Sequence, residues 1–173
     1  MHVAYAAGLF DGEGNIIVTK WYCDRPTKPY MRYQLKASIG MTHYPTILAF
    51  HTRFSGCVVR NDSAHRKNPL NRIQYTWYVW SGFAYRFLKE IEPYLITKKE
   101  EALLGIEFQE HVNECKPLFR QHRGKPPNGV EIYEYRDRLL TKLKDLKKFE
   151  YDIPASDLKH LNSVSDGPIV QAG

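Results

Sequence analysis

Along the chain the spacing of apolar positions changes several times, and each change marks an element. From His2 to Asp11 small and apolar residues recur at helical spacing, and Gly12 and Gly14 follow; this predicts a short helix. Asn15 to Tyr22 alternates and is rich in β-branched residues, which predicts a strand. Residues 24–29 carry two prolines and read as a turn, and Tyr30 to Met41 reads as a second strand. Thr42 suits an N-cap with Pro45 in the first turn of a helix to about Phe54, ended by Ser55-Gly56. Cys57 to Asn61 reads as a third strand, 62–71 as a polar loop, and Arg72 to Trp80 as a fourth strand. Ser81 to Ile91 reads as a helix, and Pro93 leads into another from about Thr97 to Cys115. Lys116 to Gly129 reads as a basic connector rich in Pro and Gly, and Val130 to Phe149 as a charged amphipathic helix. The stretch beyond Asp166 is expected to be disordered.

The order α-β-β-α-β-β-α, then further helices, predicts an α+β fold with an antiparallel four-stranded sheet. Helices should cover one sheet face and leave the other free. Residues 1–115 then form the core, 116–165 a basic connector and helical extension, and 166–173 a tail.

Composition narrows the partners. The 173 residues are 43% hydrophobic and 13% aromatic, enough for a core without disulfides. Lys and Arg number 25 against 19 acids, a net charge of +6, which admits a nucleic acid or an anionic surface as partner without requiring either. The cysteines, at 23, 57 and 115, form no CxxC pair, so reduced thiols are expected rather than zinc ligands. No apolar run reaches membrane-span length, and the first ten residues lack the pattern of a secretory signal. The expectation is an intracellular protein that is neither secreted nor bound to a membrane.

One motif carries chemistry. Residues 6–14 read AAGLFDGEG. Ala4, Ala7, Gly8 and Asp11 fall at i, i+3, i+4 and i+7 and give a helix face with almost no bulk, which lets a second helix approach closely. Asp11 and Glu13 then stand at the helix C-terminus, where partial negative charge disfavours acids. Such carboxylates need a partner, a metal ion among the candidates; a surface helix with a glycine cap and solvated acids is the plainer alternative. Gly12 and Gly14 permit a sharp turn and a close ligand.

AAGLFDGEG resembles the LAGLIDADG motif at nearly every position, with Ala6 for Leu, Phe10 for Ile, Gly12 for Ala and Glu13 for Asp, and a strand follows at once. The family's element order also matches residues 1–115. The resemblance implies a homing endonuclease: metal-dependent, sequence-specific double-strand cleavage of DNA, leaving 5′-phosphate and 3′-hydroxyl ends. It implies that Ala4, Ala7, Gly8 and Asp11 line a helix pair at a two-fold axis. Glu13 would be the catalytic metal ligand, with the Gly12 carbonyl and Asp11 as secondary candidates, and Mg²⁺ or Mn²⁺ the cofactor. A single motif implies a homodimer and a pseudo-palindromic target of about 20 bp. Just past the second strand, where some relatives carry Gln, stands His43; a water-ordering role and no role at all are both open. After Pro93, Tyr94 and Leu95 comes the lysine expected near the scissile phosphate, Lys98, with Lys99 competing. Some relatives place a basic residue where this chain has Ile47.

On the same resemblance the free sheet face reads double-stranded DNA in the major groove. Alternation points Thr19 and Trp21 outward, with Arg32, Gln34, Lys36 and Ser38 on strand two, Arg60 on strand three, and Arg72, Gln74, Thr76 and Tyr78 on strand four. His65, Arg66 and Lys67 are candidate phosphate contacts. A non-catalytic DNA-binding regulator or an RNA maturase on the same scaffold is the alternative, and RNA is a partner only on the latter.

Overall fold

The computed structural model describes residues 1–23, 30–122 and 128–148. The elements run α1 (Val3–Glu13), β1 (Gly14–Cys23), β2 (Tyr30–Met41), α2 (Tyr44–Phe54), β3 (Cys57–Asn61), α3 (Ser63–Lys67), β4 (Gln74–Trp80), α4 (Ser81–Ile91), α5 (Lys99–Gln121) and α6 (Gly129–Leu146), with a 3-10 turn at Glu92–Tyr94. The four strands form one antiparallel sheet in the order β1-β2-β4-β3. This is the α+β arrangement that the sequence pattern implies.

Period-2 alternation divides the sheet. Ile16, Leu35, Ala37, Ile39, Trp77 and Val79 are buried on one face, against the helices. Trp77 sits among Phe50, Phe54 and Phe87, and its indole N–H donates to the Ser55 carbonyl at 2.6 Å. That bond satisfies the one polar atom of a fully buried ring. Phe10 of α1 meets Phe87 edge to face at 5.0 Å, which ties the motif helix to α4. Gly105 lets α5 lie close, because a Cβ there would come within 3.1–3.3 Å of Leu88, Leu35 and Ile16.

α6 is charged along most of its length, yet Leu139 and Leu143 join the main core. Its Asp137 carboxylate accepts from Lys20 of β1 at 2.7 Å and from the Tyr33 hydroxyl of β2 at 2.8 Å. α6 therefore braces the β1-β2 pair from the helix side.

Several boundaries differ from the sequence expectation. α1 does not stop at Asp11; it runs through Gly12 to Glu13, and Gly14 opens β1 directly. The Gly14 N–H donates to the Phe10 carbonyl, and a Cβ at Gly14 would lie 2.3 Å from that oxygen. Only glycine fits so tight a passage from helix to strand. The N-cap position of α2 is His43, not Thr42, and its side chain makes no capping hydrogen bond. The polar stretch 62–71 contains the short helix α3. β4 begins at Gln74, which leaves Arg72 in the preceding loop. α5 begins at Lys99 and passes through Cys115 and Pro117 to Gln121, so 116–121 is helix rather than connector. The expected turn at 24–29, residues 123–127 of the basic connector and the expected disordered tail fall outside the described residues.

Candidate active site and nucleic-acid interface

The end of α1 is built by residues far apart in sequence. The Asp11 carboxylate accepts backbone N–H groups from Ile96 at 2.7 Å and Lys98 at 3.0 Å. Those donors lie in the segment just ahead of α5, so Asp11 fastens the loop that leads into that helix. Burial pushes its carboxyl up, but the hydrogen bonds from Ile96, Lys98 and Thr97 outweigh that and hold its pKa below the ordinary value. The Asp11 carbonyl in turn accepts from Thr97 Oγ1 at 3.2 Å and Lys98 Nζ at 2.5 Å. An ammonium at a helix C-terminus meets the negative end of the dipole, the favourable placement.

This knot brings Lys98 to the helix end that carries Glu13. Glu13 is exposed and makes no hydrogen bond or ion pair with any described residue. Lys99 is 3.4 Å from Glu92 in an ion pair, so of the two lysines Lys98 is the one at the motif. The Gly12 carbonyl lies in the last helical turn, where carbonyls lack intrahelical donors. The Glu13 carboxylate and such a carbonyl are hard oxygen ligands of the kind Mg²⁺ takes. Among the described residues no group of three or more His, Cys, Asp and Glu forms a complete metal cage.

His43 is exposed, and its Nδ1 lies 2.8 Å from Thr46 Oγ1. Gly14 pairs with Ile39, which puts the end of β2, and His43 beyond it, at the same end of the sheet as Glu13.

The helix face expected to be open is shifted. Ala7 is fully buried beside Ala6 and Phe10, and Asp11 is engaged with residues 96–98 of its own chain. The exposed stripe consists of Tyr5, 58% exposed, Gly8 and Gly12, with Ala4 half-buried at its border. A Cβ at Gly8 or Gly12 would meet nothing within 4 Å. The reason is the 100° step per residue: Ala6, Ala7 and Phe10 face the core, so the opposite side falls at 5, 8 and 12. Tyr94, 50% exposed, and Ile96, 86% exposed, stand in the segment knotted to this helix.

On the open sheet face the register sets Thr19 opposite Gln34, Trp21 opposite Arg32, and Asn15 opposite Ser38. Gln74, Thr76, Tyr78 and Trp80 share that face. Arg32 lies 5.3 Å from the Trp21 ring, and Lys36 lies 5.0 Å from the rings of both Tyr78 and Trp80. Two expected readers are placed otherwise. Arg60 pairs with Tyr75, so parity puts it on the helix-side face, and Cys57, Val59 and Asn61 are the β3 residues on the open face. Ser38 is only 9% exposed, because its small side chain stands between Asn15 and Tyr78. Trp80 escaped the sequence reading although continuing the alternation from Gln74 would have found it. His65, Arg66 and Lys67 are brought together on α3.

No family model matches the sequence, and neither does any curated protein. Solved structures do match. The homing endonuclease I-CvuI, in complex with the I-CreI target in 2 mM Mg with the DNA not cleaved, superposes with a TM-score of 0.65 at 15% identity over 96% of both chains. The archaeal intron-encoded homing endonuclease I-Vdi141I, complexed with DNA, gives 0.63 at 16% identity over 95% of this chain and 94% of that one. The LAGLIDADG homing endonuclease I-GzeII, in complex with its DNA target, gives 0.54 at 12% identity; all of this chain covers 54% of that one.

Proposed function

With the LAGLIDADG homing-endonuclease fold as premise, we propose that this chain is a homodimeric, divalent-metal-dependent endonuclease that cuts double-stranded DNA at a long pseudo-palindromic site. The observation that carries the reading is the knot at the end of α1. A lysine 87 residues away in sequence is fixed at the end of the motif helix, where an acid stands exposed and unpaired. DNA binding alone needs neither group.

Two copies of α1 pack through Tyr5, Gly8 and Gly12, with Tyr94 and Ile96 at the border. Two glycines four residues apart let the backbones approach closely. I-GzeII, of which this chain covers about half, is consistent with one fold unit that must be doubled. Pairing the helix ends brings two Glu13 side chains to one centre, against phosphates of both strands.

A divalent cation held there by Glu13 and the Gly12 carbonyl would activate water and neutralise developing charge. Lys98, held against the Asp11 carbonyl, presents its remaining N–H donors toward the scissile phosphate. His43, at the same end of the sheet, orders water at the rim. The open face lies in the major groove, with Arg32, Gln34, Lys36 and Gln74 reading base edges. Arg72 and the α3 cluster of His65, Arg66 and Lys67 contact phosphates.

The test is cleavage of a plasmid library with a randomised insert of about 24 bp, spanning the expected two half-sites. Linear product that forms in Mg²⁺, fails to form in EDTA, and converges on a pseudo-palindrome supports the reading. Lys98→Met should slow cleavage of the selected site by about 10²-fold or more, and Lys99→Met should leave it within a few-fold. Tight binding without cleavage would favour a DNA-binding regulator on this scaffold.

A further inference from the structure

Lys36 stands at the centre of the open sheet face. It is on β2, an interior strand, opposite Ile17 of β1 and Trp80 of β4. Its ammonium lies 5.0 Å from the centroids of the Tyr78 and Trp80 rings, which meet at 72° to each other. Two rings thus wall one side of a cation.

Several lysines have carboxylate partners, Lys20 with Asp137, Lys89 with Glu110, Lys99 with Glu92 and Lys147 with Glu101, while others have none. No carboxylate among the described residues pairs with Lys36. Ring faces attract a cation but offer no hydrogen-bond acceptor. Its outward N–H donors are therefore held in one direction without an acceptor of their own, and the rotamer entropy of a long side chain is spent before any ligand arrives.

We propose that Lys36, caged by Tyr78 and Trp80, is a preset reader of guanine at one position of each DNA half-site, and that Trp80 is a specificity-determining residue through that cage. The inference rests on the DNA-binding reading above. Position selects the base over the backbone: phosphates border the groove, within reach of the sheet edges and of α3, whereas an interior strand faces the groove floor. Chemistry selects the base: guanine presents two acceptors there, O6 and N7, whereas adenine presents a donor beside its acceptor. The cage also disfavours stacking of unpaired bases, because the ring faces already hold the cation.

Duplex selection from a randomised library, read as binding without cleavage, tests this. Wild type should select guanine at one symmetry-related column in each half-site. Lys36→Met should erase that column alone, weaken binding to the selected site by about tenfold or more, and leave the salt dependence unchanged. Lys36→Arg should keep guanine, since an arginine reads the same two acceptors. Trp80→Leu, checked for an unchanged fold by circular dichroism, should blur the same column. Weakening that is uniform across sequences, with a salt slope reduced by about one, would make Lys36 a phosphate contact and overturn the proposal, as would a guanine column that survives Lys36→Met. Selection of no duplex by folded wild type would instead remove the DNA-binding reading itself, and this inference with it.

Discussion

Asp11 is the residue whose role the structure changes most. From its motif it reads as a metal or interface group, but its two oxygens are spent on the backbone of Ile96 and Lys98. Removing it frees the loop that carries Lys98 ahead of α5. Asp11→Ala should cost about 1 to 3 kcal/mol of stability, the range for lost hydrogen bonds to a charged group, measured by urea unfolding. The pH dependence follows from its lowered pKa. A carboxyl whose folded value lies below the ordinary 3.8 contributes its full stability above that value and loses it as pH falls through the folded one. The difference in Tm between wild type and Asp11→Asn should therefore be constant near neutrality and shrink below about pH 3.8; an unchanging difference down to acid denaturation would contradict the role. Gly14 is constrained differently. Its conformation suits any residue, but a Cβ has no room over Phe10. Gly14→Ala should destabilise by about 1 to 3 kcal/mol through overpacking, read by the same unfolding curve.

At the scale of elements, α1 has two faces with different duties. Ala6, Ala7 and Phe10 fasten it to its own core, while Gly8 and Gly12 face open space. A large side chain at Gly8 meets nothing within the protomer, and replacing a helical glycine raises helix propensity. Gly8→Leu should thus leave the protomer folded with an equal or higher Tm, yet give a monomer by sedimentation and abolish cleavage. A cleaving Gly8→Leu dimer would mean that α1 is not the interface. Much of this architecture was legible in the sequence: β2 and α4 run where periodicity put them, and β3 where Ser55-Gly56 and the polar stretch after it bound it. The failures have physical causes. Val58 and Val59 are both apolar, so β3 offered no parity, and Arg60 went to the wrong face. The stripe on α1 was misplaced by one position because small residues occur on both of its sides. The hydrogen-bond partners of Asp11 lie 85 and 87 residues away, beyond any local pattern. The leucines of α6 were masked by the charges around them, although Leu139 and Leu143 belong to the core.

Over the whole molecule, on the proposed reading, the helix layer holds the chemistry and the open face holds the DNA. α6 clasps the β1-β2 pair through Asp137, Lys20 and Tyr33, and so holds the strands that carry Trp21 and Arg32. The knot at residues 96–98 sets a lysine at the end of the motif helix, and the glycine stripe leaves one face of that helix open. On the proposed reading each part serves one event, the meeting of two Glu13 carboxylates over bound DNA. The most direct measurement is single-turnover cleavage of the selected duplex by Glu13→Gln in Mg²⁺, with affinity measured on the same duplex in Ca²⁺. The amide keeps the shape but removes the charge that a divalent ion needs. The account predicts affinity within a few-fold of wild type and a cleavage rate lower by on the order of 10³-fold. A Glu13→Gln protein that cuts both strands at the wild-type rate would contradict it.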